Sequence, residues 1–216
     1  MFKYDESYLN FNLWLDYYYQ YRLVASTGCR HILEVGKGTG VFEAILKQFN
    51  YNVTTADNNP DTAPDYLCDV RRLPFGNGVY DVVCAYEVLE HIPFSDFKTA
   101  LCEMSRVSKR YLAISLPYAS IYLSLAIMPP QAVVLKKFYG TLGIKLGEPI
   151  KLNLTFPLFF LGTRLMHKEH CWEMGRGEYS TKRIAKTIEE AGLKIVKKEG
   201  RVLLPYHVFY LLEKCN

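Results

Sequence analysis

His31-Ile-Leu-Glu-Val-Gly-Lys-Gly-Thr-Gly40 decides how this chain is read. A short apolar run, residues 32–35, ends in glycines at alternate positions, Gly36, Gly38 and Gly40. A helical pattern over residues 41–49 follows at once. An apolar run stopped by glycine and followed by a helix reads as strand, tight turn, helix. Glycine at such a turn lets a ligand approach the backbone and allows the positive φ values the turn needs. The first N–H groups of the helix then point at whatever sits there. The stretch reads as a nucleotide-cofactor turn.

The pattern outward from it is an alternation. Strands are expected at 51–56, 66–68, 80–85 and 110–115, with Gly76-Asn-Gly78 ahead of the third of these. Residues 93–107 read as a helix with Pro93 at its start, where a missing N–H costs nothing. Strands alternating with helices mean a parallel sheet covered on both faces. The end of the chain breaks the alternation. Ser180 caps a helix over 180–191 that Gly192 closes. Segments 193–200 and 206–212 lie so close in sequence that they must pair antiparallel, as a C-terminal hairpin. Residues 1–27 carry Tyr8, Phe11, Trp14, Tyr17, Tyr18 and Tyr21 at helical spacings, so one face of an N-terminal helix should pack on the body. Residues 118–179 form an insert of about 60 residues, too long for a bare connection and therefore functional or structured.

The 216 residues read as a single α/β domain, 1–216. Its parts are the N-terminal helix (1–27), a cofactor-binding core (28–117), a lid or substrate insert (118–179), and the C-terminal helix and hairpin (180–216). Half the residues are hydrophobic and 14% aromatic, which excludes a disordered chain. A formal charge of +4 lacks the dense basic stripe of a nucleic-acid binder, so none is expected as a partner. Six cysteines without a CxxC pair fit neither a zinc site nor a disulfide framework. Reduced thiols in the cytoplasm follow. Residues 1–6 are charged and show no apolar signal region. Residues 111–135 hold no Asp, Glu, Lys or Arg, but Pro117, Pro129 and Pro130 interrupt them and argue against a spanning helix. Peripheral membrane contact through the insert stays open.

The dinucleotide fingerprint is GxGxxG, whereas here the pattern is GxGxG with Val41 in the sixth position. Asp57 ends the second strand, placed to accept hydrogen bonds from both ribose hydroxyls. Asn58 follows it, and the run Asp57-Asn-Asn-Pro60 also suits an Asx turn. Asp69 and Val70 stand at the tip of the third strand, where Asp69 can accept a hydrogen bond from an exocyclic amine such as that of adenine. The fourth strand runs into Tyr86-Glu-Val-Leu-Glu-His-Ile-Pro93. Ligands of open α/β sheets bind at such carboxyl ends.

With these motifs in place, the chain resembles the class I S-adenosylmethionine-dependent methyltransferases, in the type 11-like subgroup marked by Glu-Val-Leu-Glu-His-Ile-Pro after strand four. The resemblance runs from His31 to Pro117 and returns from Ser180 to Leu212. It implies a Rossmann-like, mostly parallel seven-stranded sheet with helices on both faces, a C-terminal antiparallel hairpin and a lid insert after strand five. It implies S-adenosylmethionine as cofactor, with Glu34, Gly36, Gly38 and Gly40 along its methionine portion and Asp57 on the ribose, Asn58 beside it. It also implies Asp69 near the adenine amine, Val70 beside the ring, and Tyr86 and Glu87 flanking the methyl donor. The chain departs from the family in a short second-to-third-strand connection and in Lys37 between the first two glycines. No Asn/Asp-Pro-Pro-Tyr follows strand four, which weakens the case for methylating base or Gln nitrogens.

Methyl transfer from a sulfonium is an in-line displacement in which the protein mainly supplies position, worth about 7–11 kcal/mol of barrier. A base is needed only where the nucleophile must lose a proton. The acceptor site is expected from the N-terminal helix and the insert, which mixes apolar runs with seven Lys/Arg and four Glu. A small-molecule or amphipathic, lipid-like acceptor suits that surface. Tyr118, Trp172 and Glu173 are expected in the pocket, with His170 and His91 as candidate bases. His167 and His170 stand three apart near carboxylates, but no third convincing ligand is evident and no metal is expected. A nicotinamide oxidoreductase and a non-catalytic cofactor-binding module are the alternative readings.

Overall fold

The computed structural model describes residues 10–127, 150–157, 168–200 and 206–215. Helix α1 (Phe11–Ala25) leads into β1 (His31–Val35), α2 (Val41–Gln48), β2 (Asn52–Asp57) and β3 (Tyr66–Leu67). Next come β4 (Tyr80–Tyr86), α3 (Phe94–Val107) and β5 (Ser108–Pro117). The insert contributes β6 (Ser120–Ile127) and β7 (Ile150–Pro157), and the chain closes with α4 (Thr181–Glu190), β8 (Leu193–Gly200) and β9 (His207–Lys214).

Seven strands form one sheet in the order β3-β2-β1-β4-β5-β9-β8. The first five pair in parallel, while β9 runs antiparallel to both β5 and β8. The expected mostly parallel sheet and C-terminal hairpin are therefore present. Strand order reverses between β1 and β4, the switch point where open α/β sheets leave a crevice at the carboxyl ends. Register aligns those ends: Val35 faces Ala56 on one side and Ala85 on the other. The next residues, Gly36, Asp57 and Tyr86, thus stand at one level at the carboxyl edge of the sheet.

The apolar run in β1 follows from burial on both faces. Leu33 and Val35 join Phe97, Leu101, Met104, Ile184 and Ile188 under α3 and α4. Ile32 joins Leu23, Phe42, Leu46 and Phe209 under α1 and α2. Each such side chain contributes about 1.5–3 kcal/mol. The Ser180 Oγ accepts from the Arg183 N–H at 3.2 Å, and Gly192 turns out of α4 at φ +73°. Both helix boundaries read from the sequence are met there.

In α1 the buried stripe is Asp16, Tyr17, Tyr19, Gln20, Leu23 and Val24. Phe11, Trp14 and Tyr18 face outward, so only part of the aromatic spacing marks the packed side. Tyr8 lies outside the described residues. Strands β6 and β7 pair antiparallel as a ribbon separate from the main sheet. Most of the remaining insert lies outside the described residues, and with it the question of membrane contact. Residues 111–117 belong to β5, and among the described residues no helix is long and apolar enough to cross a membrane.

Candidate functional site

A cavity of about 530 Å³ opens at the switch point. Gly36 stands in its wall at φ +83°, and a Cβ there would lie 2.3 Å from Val88 Cγ2. Packing of the loop after β4 thus demands glycine at this position. Gly40 starts α2 at φ +74°, a left-handed residue that only glycine adopts cheaply. Lys37 is tethered across the turn, its Nζ donating to the Ala63 carbonyl at 2.7 Å and pairing with Glu43 at 3.4 Å. The β2–β3 connection is short, as expected, with one 3-10 turn at Pro60–Thr62.

Acidic groups line the same cavity. Asp57 Oδ1 accepts from the Asn59 N–H at 2.9 Å, the Asx turn, and Oδ2 accepts from the Gly38 N–H at 3.3 Å. The β2 tip and the glycine turn are tied through this one carboxylate. Each of its oxygens keeps further acceptor capacity. Asp69 accepts from Arg71 Nε at 2.9 Å and Nη2 at 2.6 Å, which holds its carboxyl below the usual range. Glu34 is buried, and burial raises it well above the usual carboxylate range, with Glu43 adding. Its Oε2 has no hydrogen-bond partner among the described residues.

The opposite wall is assembled from distant segments. Tyr17 OH and Thr39 Oγ1 lie 2.7 Å apart, and Tyr86 OH donates to the Gln20 carbonyl at 3.3 Å, so α1 closes over the cavity. His207 in β9 sits 3.2 Å from Asp16 Oδ2 and 3.0 Å from Glu87 Oε1. Burial alone would lower this imidazole, but Glu87 and Asp16 outweigh it and push it up to about 10. Glu87 holds a left-handed φ of +56°, its N–H donating to Ser115 Oγ at 2.9 Å. A smaller hollow of about 240 Å³ lined by Asp16, Glu87, Tyr206 and His207 continues the cavity here. His170 Nδ1 donates to Glu173 Oε1 at 3.0 Å, and His91 Nδ1 donates to the Glu169 carbonyl at 3.0 Å.

Residues 33–111 match the family model described as a methyltransferase domain. The fold recurs in the Burkholderia thailandensis 1,6-didemethyltoxoflavin-N1-methyltransferase with bound 1,6-didemethyltoxoflavin and S-adenosylhomocysteine (TM-score 0.57, 13% identity, 91% of this chain and 76% of that one). It recurs in magnesium protoporphyrin IX methyltransferase from Synechocystis PCC 6803 with bound S-adenosylhomocysteine (TM-score 0.55, 15% identity, 99% and 90%). An S-adenosylmethionine-dependent methyltransferase from Clostridium acetobutylicum ATCC 824 aligns at TM-score 0.58 with 11% identity, over 96% and 93%. The fold is that of the class I methyltransferases. No curated protein matches the chain in sequence.

Around the cavity the fold brings together Glu34, Gly36, Gly38, Asp57, Asn58, Asp69, Val70, Tyr86 and Glu87, along with His91 and His170. Gly40 stands back from it as the N-cap of α2. Three residues expected in the acceptor pocket do not line it. Trp172 is fully buried, its ring against Phe94 and Phe97 and its Nε1 donating to the Ile92 carbonyl at 3.1 Å. The apolar area of an indole is better spent in the core once its N–H finds a carbonyl. Tyr118 packs against that core, in a backbone bridge with Met174. Glu173 lies behind the wall, accepting from Tyr206 OH at 2.9 Å, Arg176 Nε at 2.6 Å and His170 Nδ1. It positions two groups that do face the cavity.

The cavity also has wall residues that the sequence pattern does not mark: Asp16, Gln20, Tyr206 and His207. A polar Asp16 among the aromatics of α1 was the available signal. Nothing in spacing connects it to His207, 191 positions away. Glu90 was quoted within its motif but given no role. It is fully buried, and neither carboxyl oxygen has a hydrogen-bond partner on any other described residue.

Proposed function

We propose that this protein transfers the methyl group of S-adenosylmethionine to a small-molecule or lipid-like acceptor. The observation that carries the reading is the convergence of a glycine turn with Glu34, Asp57 and Asp69 on one cavity at the switch point. The residues fit the cofactor. Glu34 presents a buried carboxyl oxygen without a partner among the described residues, which suits the ammonium of a methionine moiety. Asp57 has acceptor capacity for two ribose hydroxyls, and Asp69 with Val70 suits an adenine edge and face.

When bound, the cofactor supplies a methyl group already activated on sulfur. The chain's own residues then orient and shield. Tyr86 and Glu87, fixed through Gln20 and Ser115, set the floor between the cofactor half and the acceptor half. His91 and His170 face the acceptor, held at Nδ1 by Glu169 and Glu173. His207 keeps its proton between Asp16 and Glu87, so it offers a donor rather than a base. An acceptor of modest size is supported by the hollow beside His207 and by the small molecule named in the Burkholderia relative. We place the activity in the cytoplasm, a reading supported by the free thiols of Cys29, Cys68, Cys84, Cys102, Cys171 and Cys215.

Calorimetric titration tests the reading. S-adenosylhomocysteine should bind at one site per chain while NAD(H) should not. Tight NAD(H) binding with no response to S-adenosylhomocysteine would overturn it in favour of an oxidoreductase.

A further inference from the structure

Glu90 and His91 follow β4, whereas His170 closes the insert. The fold clips these two segments together. The Cys171 N–H donates to the Glu90 carbonyl at 2.8 Å, and Trp172 Nε1 donates to the Ile92 carbonyl at 3.1 Å. The His91 Nδ1 bond to the Glu169 carbonyl completes the join. As a result one ligand atom from each of Glu90, His91 and His170 lies within 4.8 Å of the others. The imidazole rings meet edge to face with centroids 5.0 Å apart.

Three features point to a ligand. A fully buried carboxylate without a hydrogen-bond partner on any other described residue is costly in its charged form, and a cation offsets that cost. Both histidines have Nδ1 committed as a donor, to a carbonyl and to a carboxylate. This is how metal-bound imidazoles are held from behind, with the tautomer and ring orientation fixed. The cluster is graded in depth, with Glu90 buried, His170 half-buried and His91 exposed, so an ion can enter. Two nitrogens and one carboxylate form a recognised zinc ligand set, and imidazole disfavours the hard cations.

We propose that Glu90, His91 and His170 bind one divalent cation of the imidazole-favouring class, zinc, in the wall of the cavity. Three protein ligands leave a coordination position open toward the space that His91 and His170 line. The three ligand atoms draw together on binding, since zinc–nitrogen bonds are about 2.0–2.1 Å. The sequence spacing around His170 pointed to His167 instead, because Glu90 and His91 come from a segment about 80 positions away. Only the consequence for catalysis, that the two histidines act on the acceptor through the ion, rests on the methyltransferase reading.

The test uses the full chain, stripped with a chelator and titrated with Zn²⁺, Mn²⁺ and Mg²⁺ separately, and with S-adenosylhomocysteine in a parallel cell. One equivalent of Zn²⁺ is expected, with Mn²⁺ and Mg²⁺ weaker. Glu90→Gln and His170→Gln should each weaken binding at least tenfold. Co²⁺ loading of the unaltered chain should shift the ring N–H resonances of two histidines, a readout that survives if a variant fails to fold. Absence of Zn²⁺ binding, affinity unchanged in both folded variants, or Co²⁺ shifts on other histidines would overturn the site. Metal binding without S-adenosylhomocysteine binding would support the site and overturn the cofactor reading, and the converse would do the opposite.

Discussion

On one side of the cavity, Gly36, Asp57 and Asp69 stand at or just beyond the ends of β1, β2 and β3, neighbours in the sheet and close in sequence. On the other side, Asp16, His91, His170, Tyr206 and His207 come from α1, the turn after β4, the end of the insert and the start of β9. The first half is placed by register: once β1, β2 and β4 pair in parallel, their tips must meet. The second half is placed by packing, through Glu173, Trp172 and the Asp16–His207–Glu87 cluster. The first wall should therefore lose ligand affinity when a tip residue is altered. The second should fail through stability, because its residues are held by the core behind them.

The largest effect is expected at Trp172. Replacing it with Ala removes a fully buried indole from the contact of α3 with residues 168–179 and should cost about 3–5 kcal/mol in urea unfolding. A cost below about 1 kcal/mol would mean that this wall does not depend on the core. Next is Asp57→Ala, which should weaken S-adenosylhomocysteine binding by about 1.5–3 kcal/mol, tenfold to more than 100-fold, through lost charge-assisted hydrogen bonds. Calorimetry that found equal affinity would remove Asp57 from the ribose site and undo the contrast between the walls.

A pH-dependent effect separates the walls further. His207 is raised from an ordinary value near 6.5 to about 10 in the folded chain. Its contribution to stability is full below the unfolded value and is lost as pH rises through about 10. The melting temperature of the natural chain should therefore fall between pH 7 and pH 10 more steeply than that of His207→Gln. For a chain of this size each kcal/mol corresponds to about 2–4 °C. Parallel slopes in the two proteins would show that Asp16 and Glu87 do not hold the imidazolium.

The same division explains what the sequence disclosed. Strands β1 to β5, α2, α3 and α4 were legible because apolar runs and Gly, Pro and Ser punctuate them. The first wall of the cavity was legible because its residues stand at those strand ends. Trp172 was read as a pocket residue because a tryptophan beside a histidine carries no mark of which way it faces. Asp16 and His207 went unread because their pairing spans 191 positions, and no local pattern encodes such a contact. Glu90 was in plain view within Glu-Val-Leu-Glu-His-Ile-Pro, yet only the fold shows that its carboxyl is buried beside two histidines.

The most direct measurement is a crystal structure with S-adenosylhomocysteine bound. The account expects the ribose hydroxyls within hydrogen-bond distance of the Asp57 carboxylate, the amino group facing Glu34, and the sulfur directed toward the His91, His170 and His207 side of the cavity. A cofactor bound elsewhere, or one whose ribose does not reach Asp57, would contradict it.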